Sequence, residues 1–196
     1  MIYQLEQLMF VLSDLFLAPV LILLALLFAY SLYAAGQFVA QTFQRRSARQ
    51  AFALATNTQL GSNVVTQASL RGYPLARKAH QNPGITTDQL DVAALEELET
   101  VRSVSRLAPM LGLIATMVPM GPALKSLANG NVQGISENLI VAFSAVIFGL
   151  VIASITFWIA SIKKRWLATE LVALAPLVKA NQPQTSIKEV ANNEAA

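Results

Sequence analysis

The polar and apolar positions of this chain are separated into blocks rather than interleaved. Residues 15–40, 107–124 and 138–162, stretches of 26, 18 and 25 positions, contain no Asp, Glu, Lys or Arg. A charged side chain at the centre of a bilayer costs about 2.5–3.5 kcal/mol on insertion scales, so long charge-free apolar runs are read as membrane spans. A span needs about 17–25 residues at 1.5 Å each. The three blocks therefore predict three transmembrane helices. The second is the shortest and carries Pro109, Pro119 and Pro122 together with Gly112 and Gly121. Its weakened backbone has to be sheltered by neighbouring helices.

The segments between and after these blocks have a helical pattern of their own. Residues 47–70 contain few breakers and read as one helix, lightly interrupted by Gly61. Residues 71–84, with Gly72, Pro74, Pro83 and Gly84, read as a loop. Thr86 and Gln89 stand at capping-box spacing and predict a helix start. Leu90, Ala94, Leu98, Val101 and Ser105 then recur at helical spacing, with Glu96, Glu97 and Glu99 on the opposite flank. That acidic flank reads first as a solvated face, and in a sharper reading as a docking surface. No breaker separates this helix from Leu107, so it is expected to enter the second span as one rod. The tail after the third span is expected to stay helical to about Ala175, with Pro176 and then Pro183 ending it, and the last dozen residues to be disordered.

Charge decides how the chain threads. Only 13% of the 196 residues are charged and 55% are apolar, which excludes a disordered chain and makes a soluble domain a poor fit. Lys and Arg number eight in residues 41–106, one between the second and third blocks (Lys125), five in the tail and none in residues 1–14. The excess of Lys and Arg marks the cytoplasmic side. The reading is an all-α membrane protein. Residues 1–14 form an extracytoplasmic N-terminus, 15–40 the first span, and 41–106 a cytoplasmic helical segment. Residues 107–124 are the second span, 125–137 an extracytoplasmic turn, 138–162 the third span, and 163–196 a cytoplasmic helix end and tail. The first block reads as an uncleaved anchor, because no positive charge precedes it. The net charge of +3 is absorbed by topology and indicates no nucleic-acid partner. With no cysteine and a single histidine, His80, read as an exposed loop residue, neither a metal site nor a cofactor is expected.

On a helical wheel, Ala108, Gly112, Ala115, Thr116, Pro119 and Ala123 fall within roughly 60° of one line. Small residues permit close helix packing in membranes. The same stripe also suits a narrow, partly hydrated pathway. Pro119 removes the bond its amide would give the Ala115 carbonyl, leaving two oxygens near one level beside Thr116. No acid, base or imidazole lies inside any block, so a moving ion would need its carboxylate from another chain.

The segment Ala108-Pro109-Met110-Leu111-Gly112-Leu113-Ile114-Ala115-Thr116-Met117, with Gly149-Leu150 and Ala153 in the third span, resembles the MotA/TolQ/ExbB proton-channel family over about residues 101–168. The resemblance implies a ring, a homopentamer, in the cell inner membrane around a single-span partner like ExbD, TolR or MotB, whose membrane aspartate carries the proton. It aligns Thr116 with the family's pore-lining threonine. Val146 stands where the family commonly has a threonine, Val141 where it often has a glutamate, and Ile155 where it has a proline. Ser144 offers a substitute hydroxyl near Val146. The candidate pore-lining or partner-contact residues are thus Gly112, Ala115, Thr116, Pro119 and Ser144, with Ala108 and Gly149 as packing positions.

Two functions follow. One is a membrane subunit of a proton-motive-force-driven energiser or motor. The other is a non-conducting scaffold of the same fold, motivated by Val141 and Val146. A membrane enzyme is disfavoured, since the chain shows no nucleophile–base pair, metal cluster or phosphate loop.

Overall fold

The computed structural model describes residues 2–57 and 70–181. Among them every regular element is helical: α1 (Ile2–Ser47), α2 (Arg49–Asn57), α3 (Pro74–Gln81), α4 (Thr87–Ala128) and α5 (Val132–Asn181). Three helices are long and apolar enough to cross a membrane: α1 from Ala18, α4 and α5. The expected rod is present, because α4 runs unbroken from Thr87 through Pro109, Pro119 and Pro122. Its start is the predicted capping box. The Gln89 amide donates to Thr86 Oγ1 at 3.2 Å, and the Thr86 amide donates to Gln89 Oε1 at 3.1 Å.

The described chain divides into two units. The first takes the chain up to Gln37 together with Glu99–Ser161. Its core joins Val20, Leu24, Val104, Ala108, Ala115, Ala145 and Ile152 from α1, α4 and α5. Helices α4 and α5 are joined by a tight hairpin. Gly130 adopts a φ of +70°, open to glycine at no steric cost. The Gly130 amide bonds the Leu127 carbonyl and the Asn131 amide bonds the Ser126 carbonyl, the paired closure of a Schellman motif. Asn131 Oδ1 then accepts the Gly134 amide at 3.0 Å and caps α5.

The second unit takes Phe38–Leu98 and the chain from Ile162 on. Its core gathers Leu70, Leu75, Ala76, Ala79 and Leu90 with Leu167, Leu174 and Val178 of α5. Three sequence expectations are corrected here. The segment read as a loop over 71–84 contains α3, started by Pro74 in the first turn, where its missing N–H costs nothing. Leu75, Ala76, Ala79 and His80 form the buried face that holds α3 down. His80 is therefore buried rather than exposed, hydrogen-bonded to the Ala55 backbone, and burial pushes its imidazole below the usual range. Helix α5 passes Pro176 and ends at Asn181. A mid-helix proline costs about 3 kcal/mol, which the full burial of Leu174 and Val178 on either side of it offsets. The helix expected over 47–70 is present from Arg49 to Asn57, separated from α1 by a turn at Ala48. Its remainder, like the disorder expected of the last dozen residues, lies outside the described residues.

The acidic flank of α4 is exposed and tied at two points. Lys163 Nζ donates to Glu97 Oε1 at 2.8 Å, and Lys78 Nζ lies 3.6 Å from Glu96. Glu170, by contrast, has no exposed side-chain surface. Arg45 Nη1 stands 2.7 Å from its Oε1, and the Leu75 amide donates to its Oε2 at 3.1 Å. Burial pushes this carboxyl up to about 7 against the pull of Arg45 and of the Leu75 and Ala76 amides. The Arg45 guanidinium lies 4.3 Å from the Tyr73 ring centre and 4.7 Å from that of Trp166. Those rings stack in turn on Phe52 and Phe38. Gly72, at φ +89°, allows the approach: a Cβ there would stand 2.8 Å from Arg45 Cγ and 2.9 Å from its amide nitrogen.

Candidate functional site

The small-residue face of α4 meets α5 backbone to backbone. A Cβ on Gly149 would stand 2.8 Å from the Ala108 carbonyl oxygen and 3.2 Å from Gly112 Cα. A Cβ on Gly112 would stand 3.4 Å from the Ala145 carbonyl oxygen and from Val146 Cα. Without a hydrophobic force between helices in lipid, such contacts rest on dispersion, which needs this closeness. Ala108 and Ala115 have no exposed surface, Gly112 and Gly149 are buried, and Pro119 is among the most completely buried side chains.

Thr116 lies on the flank of this face and is half-buried. Its hydroxyl donates to the Leu113 carbonyl at 2.6 Å, leaving its oxygen lone pairs as acceptors. Ser144 is exposed and lies about 100° around α5 from Ala145, off the stripe that touches α4. The structure thus brings Ala108, Gly112 and Gly149 together at one crossing and places Thr116 and Ser144 outside it. Other hydroxyls of α5 are satisfied within the helix: Thr156 donates to Ile152, Ser154 to Leu150 and Ser161 to Phe157.

Large apolar side chains are exposed along the charge-free stretches of this unit. Leu107, Met110, Leu113 and Met117 of α4, and Phe143, Ile147, Leu150 and Phe157 of α5, are each more than half exposed. Faces of this kind suit lipid or neighbouring spans. Among the described residues, no three His, Asp or Glu side chains gather where they could hold a metal.

The sequence reading missed the Arg45–Glu170 pair. Its signal was available: Glu170 sits in register with Leu167, Leu171, Leu174 and Val178, an acid on an apolar stripe.

A model of the MotA/TolQ/ExbB proton channel family matches residues 62–175. No curated protein and no solved structure matches the chain.

Proposed function

The chain belongs to the MotA/TolQ/ExbB proton channel family, and from that premise we propose that it is the ring-forming subunit of a proton-motive-force-driven energiser or motor in the cell inner membrane. In this reading five copies surround a single-span partner like ExbD, TolR or MotB. The N-terminus and the α4–α5 hairpin face outward, and the unit built around Arg45 and Glu170 lies in the cytoplasm. The excess of Lys and Arg in residues 41–106 and in the tail supports that orientation.

One observation carries the proposal. A proton-channel chain with no Asp, Glu, His, Lys or Arg within residues 15–40, 107–124 or 138–162 must obtain its membrane carboxylate elsewhere. The partner's carboxylate fills that role. Thr116, with its oxygen available as an acceptor, serves as the polar contact for the partner helix or the passing proton, with Ser144 as a second hydroxyl. The buried Gly112, Ala115 and Pro119 hold the helix that carries Thr116, and the Ala108–Gly149 crossing fixes its distance from α5.

The test is Thr116→Val, which keeps the shape and removes the hydroxyl. Pentamer formation, followed by native mass spectrometry, should be unchanged while proton-driven work by the complex falls at least tenfold. Unchanged work would refute the pathway role of Thr116. The second reading, a non-conducting scaffold, draws on Val141 and Val146, which place no carboxylate or hydroxyl at those positions.

A further inference from the structure

The second unit holds a cleft of about 470 Å³ whose walls include Arg45, Arg46, Arg49, Trp166, Thr42 and Thr169. That volume is in the range of small-molecule sites, about 300–1,000 Å³. Its charge balance is set by what each arginine already does. Arg45 is committed to Glu170 at 2.7 Å, and the other carboxylate oxygen accepts the Leu75 amide, so the acid in the wall is already matched. Arg46 and Arg49 are exposed and take part in no ion pair among the described residues. Their planar forks match phosphate oxygens in geometry and charge.

The hydroxyls in the wall add a second requirement. Thr42 Oγ1 donates to the Phe38 carbonyl at 2.8 Å, and Thr169 Oγ1 donates to the Arg165 carbonyl at 2.9 Å. With their protons spent, both offer acceptor lone pairs. A fitting ligand therefore carries an anionic phosphate for the arginines and hydroxyl donors for the threonines. Position narrows the source. Arg45 lies five residues beyond the first charge-free block and Trp166 four beyond the third, about 7.5 Å and 6 Å along their helices. With the spans ending where those blocks end, both residues would stand at headgroup depth, where Trp is favoured.

We propose that this cleft is a binding site for the headgroup of an anionic phospholipid of the phosphatidylglycerol type, with Arg46 and Arg49 on the phosphate and Thr42 and Thr169 accepting from the glycerol hydroxyls. Only the choice of leaflet rests on the orientation proposed above.

The experiment uses the full chain carrying Trp158→Phe, so that Trp166 is its one tryptophan. Reconstituted in phosphatidylcholine bilayers, it is titrated with brominated phosphatidylglycerol or brominated phosphatidylcholine, and quenching of Trp166 is read. At about fivefold per basic residue near a membrane surface, phosphatidylglycerol should be preferred on the order of thirtyfold, and Arg46→Gln with Arg49→Gln should erase the preference. Arg102→Gln with Arg106→Gln, which removes equal charge from α4, should change it less than twofold. Three results would overturn the proposal: equal quenching by the two lipids, an equal loss from the α4 variant, or reversal of the quenching by excess inorganic phosphate. The quenching readout requires neither a ring nor a partner and both leaflets are offered, so failure here is separate from failure of the proposed function.

Discussion

Arg45 Nη1 meets Glu170 Oε1 at 2.7 Å, and the acid is wholly buried. Above pH 7, where Glu170 is ionised, taking one partner from this buried pair leaves the other charge uncompensated and costs about 3–5 kcal/mol. Because Arg45 also lies between the Tyr73 and Trp166 rings, Arg45→Ala removes packing as well as charge. Thermal unfolding of detergent-solubilised protein should show Arg45→Ala as the most damaging single change in this unit. A double-mutant cycle with Glu170→Ala should return a coupling well above that of the exposed Lys78–Glu96 pair, which is worth at most about 1 kcal/mol.

The same acid makes stability depend on pH, with a definite sign. Its folded value, about 7, is raised above the usual 4.5 by burial. The folded state therefore holds a proton that the unfolded state has lost between those values, and stability falls as pH rises through that window. The shift corresponds to about 3 kcal/mol, present in full below pH 4.5 and absent above 7. Glu170→Gln, which cannot titrate, should flatten this part of the profile. The check is the difference in unfolding midpoint between the two proteins across pH 4–8.

The α4–α5 crossing should respond unequally to its two glycines. Gly149→Ala places a methyl 2.8 Å from the Ala108 carbonyl oxygen, a backbone atom that cannot swing aside. Such overpacking costs about 1–3 kcal/mol. At Gly112 the nearest atoms stand at 3.4 Å, an ordinary contact, so Gly112→Ala should stay within about 1 kcal/mol of the parent. Unfolding in detergent checks the order of the two variants.

Because the sequence contains no cysteine, orientation can be read with single introduced thiols. Asn129→Cys, in the α4–α5 hairpin, should react with a membrane-impermeant maleimide in intact cells. Asp91→Cys, on the exposed side of α4, should react only after the membrane is opened.

The spans, the continuous α4 rod and its capping box were legible because each rests on a local pattern: absence of charge, missing breakers, and Thr86–Gln89 spacing. The second unit was not legible, because its order is tertiary. Pro74 and Gly72 look like loop residues until Leu75 and Ala79 find a surface to cover. His80 reads as a surface residue until Ala55 offers a backbone partner. Pro176 reads as a stop until Leu174 and Val178 are fully buried around it. At the candidate site, the small-residue stripe was visible in the periodicity. Periodicity alone did not divide it into the buried Ala108–Gly112–Gly149 crossing and the Thr116 flank, because that division depends on where α5 lies.

In the proposed assembly the ion-carrying acid comes from another chain. Proton flux into liposomes, driven by a membrane potential, tests it most directly. The purified protein alone should carry no flux above that of empty liposomes. Together with the proposed single-span partner it should conduct, and exchange of that partner's proposed membrane aspartate for asparagine should abolish the current. Flux through the protein alone, or flux that survives loss of the aspartate, would show that the acid does not come from that partner.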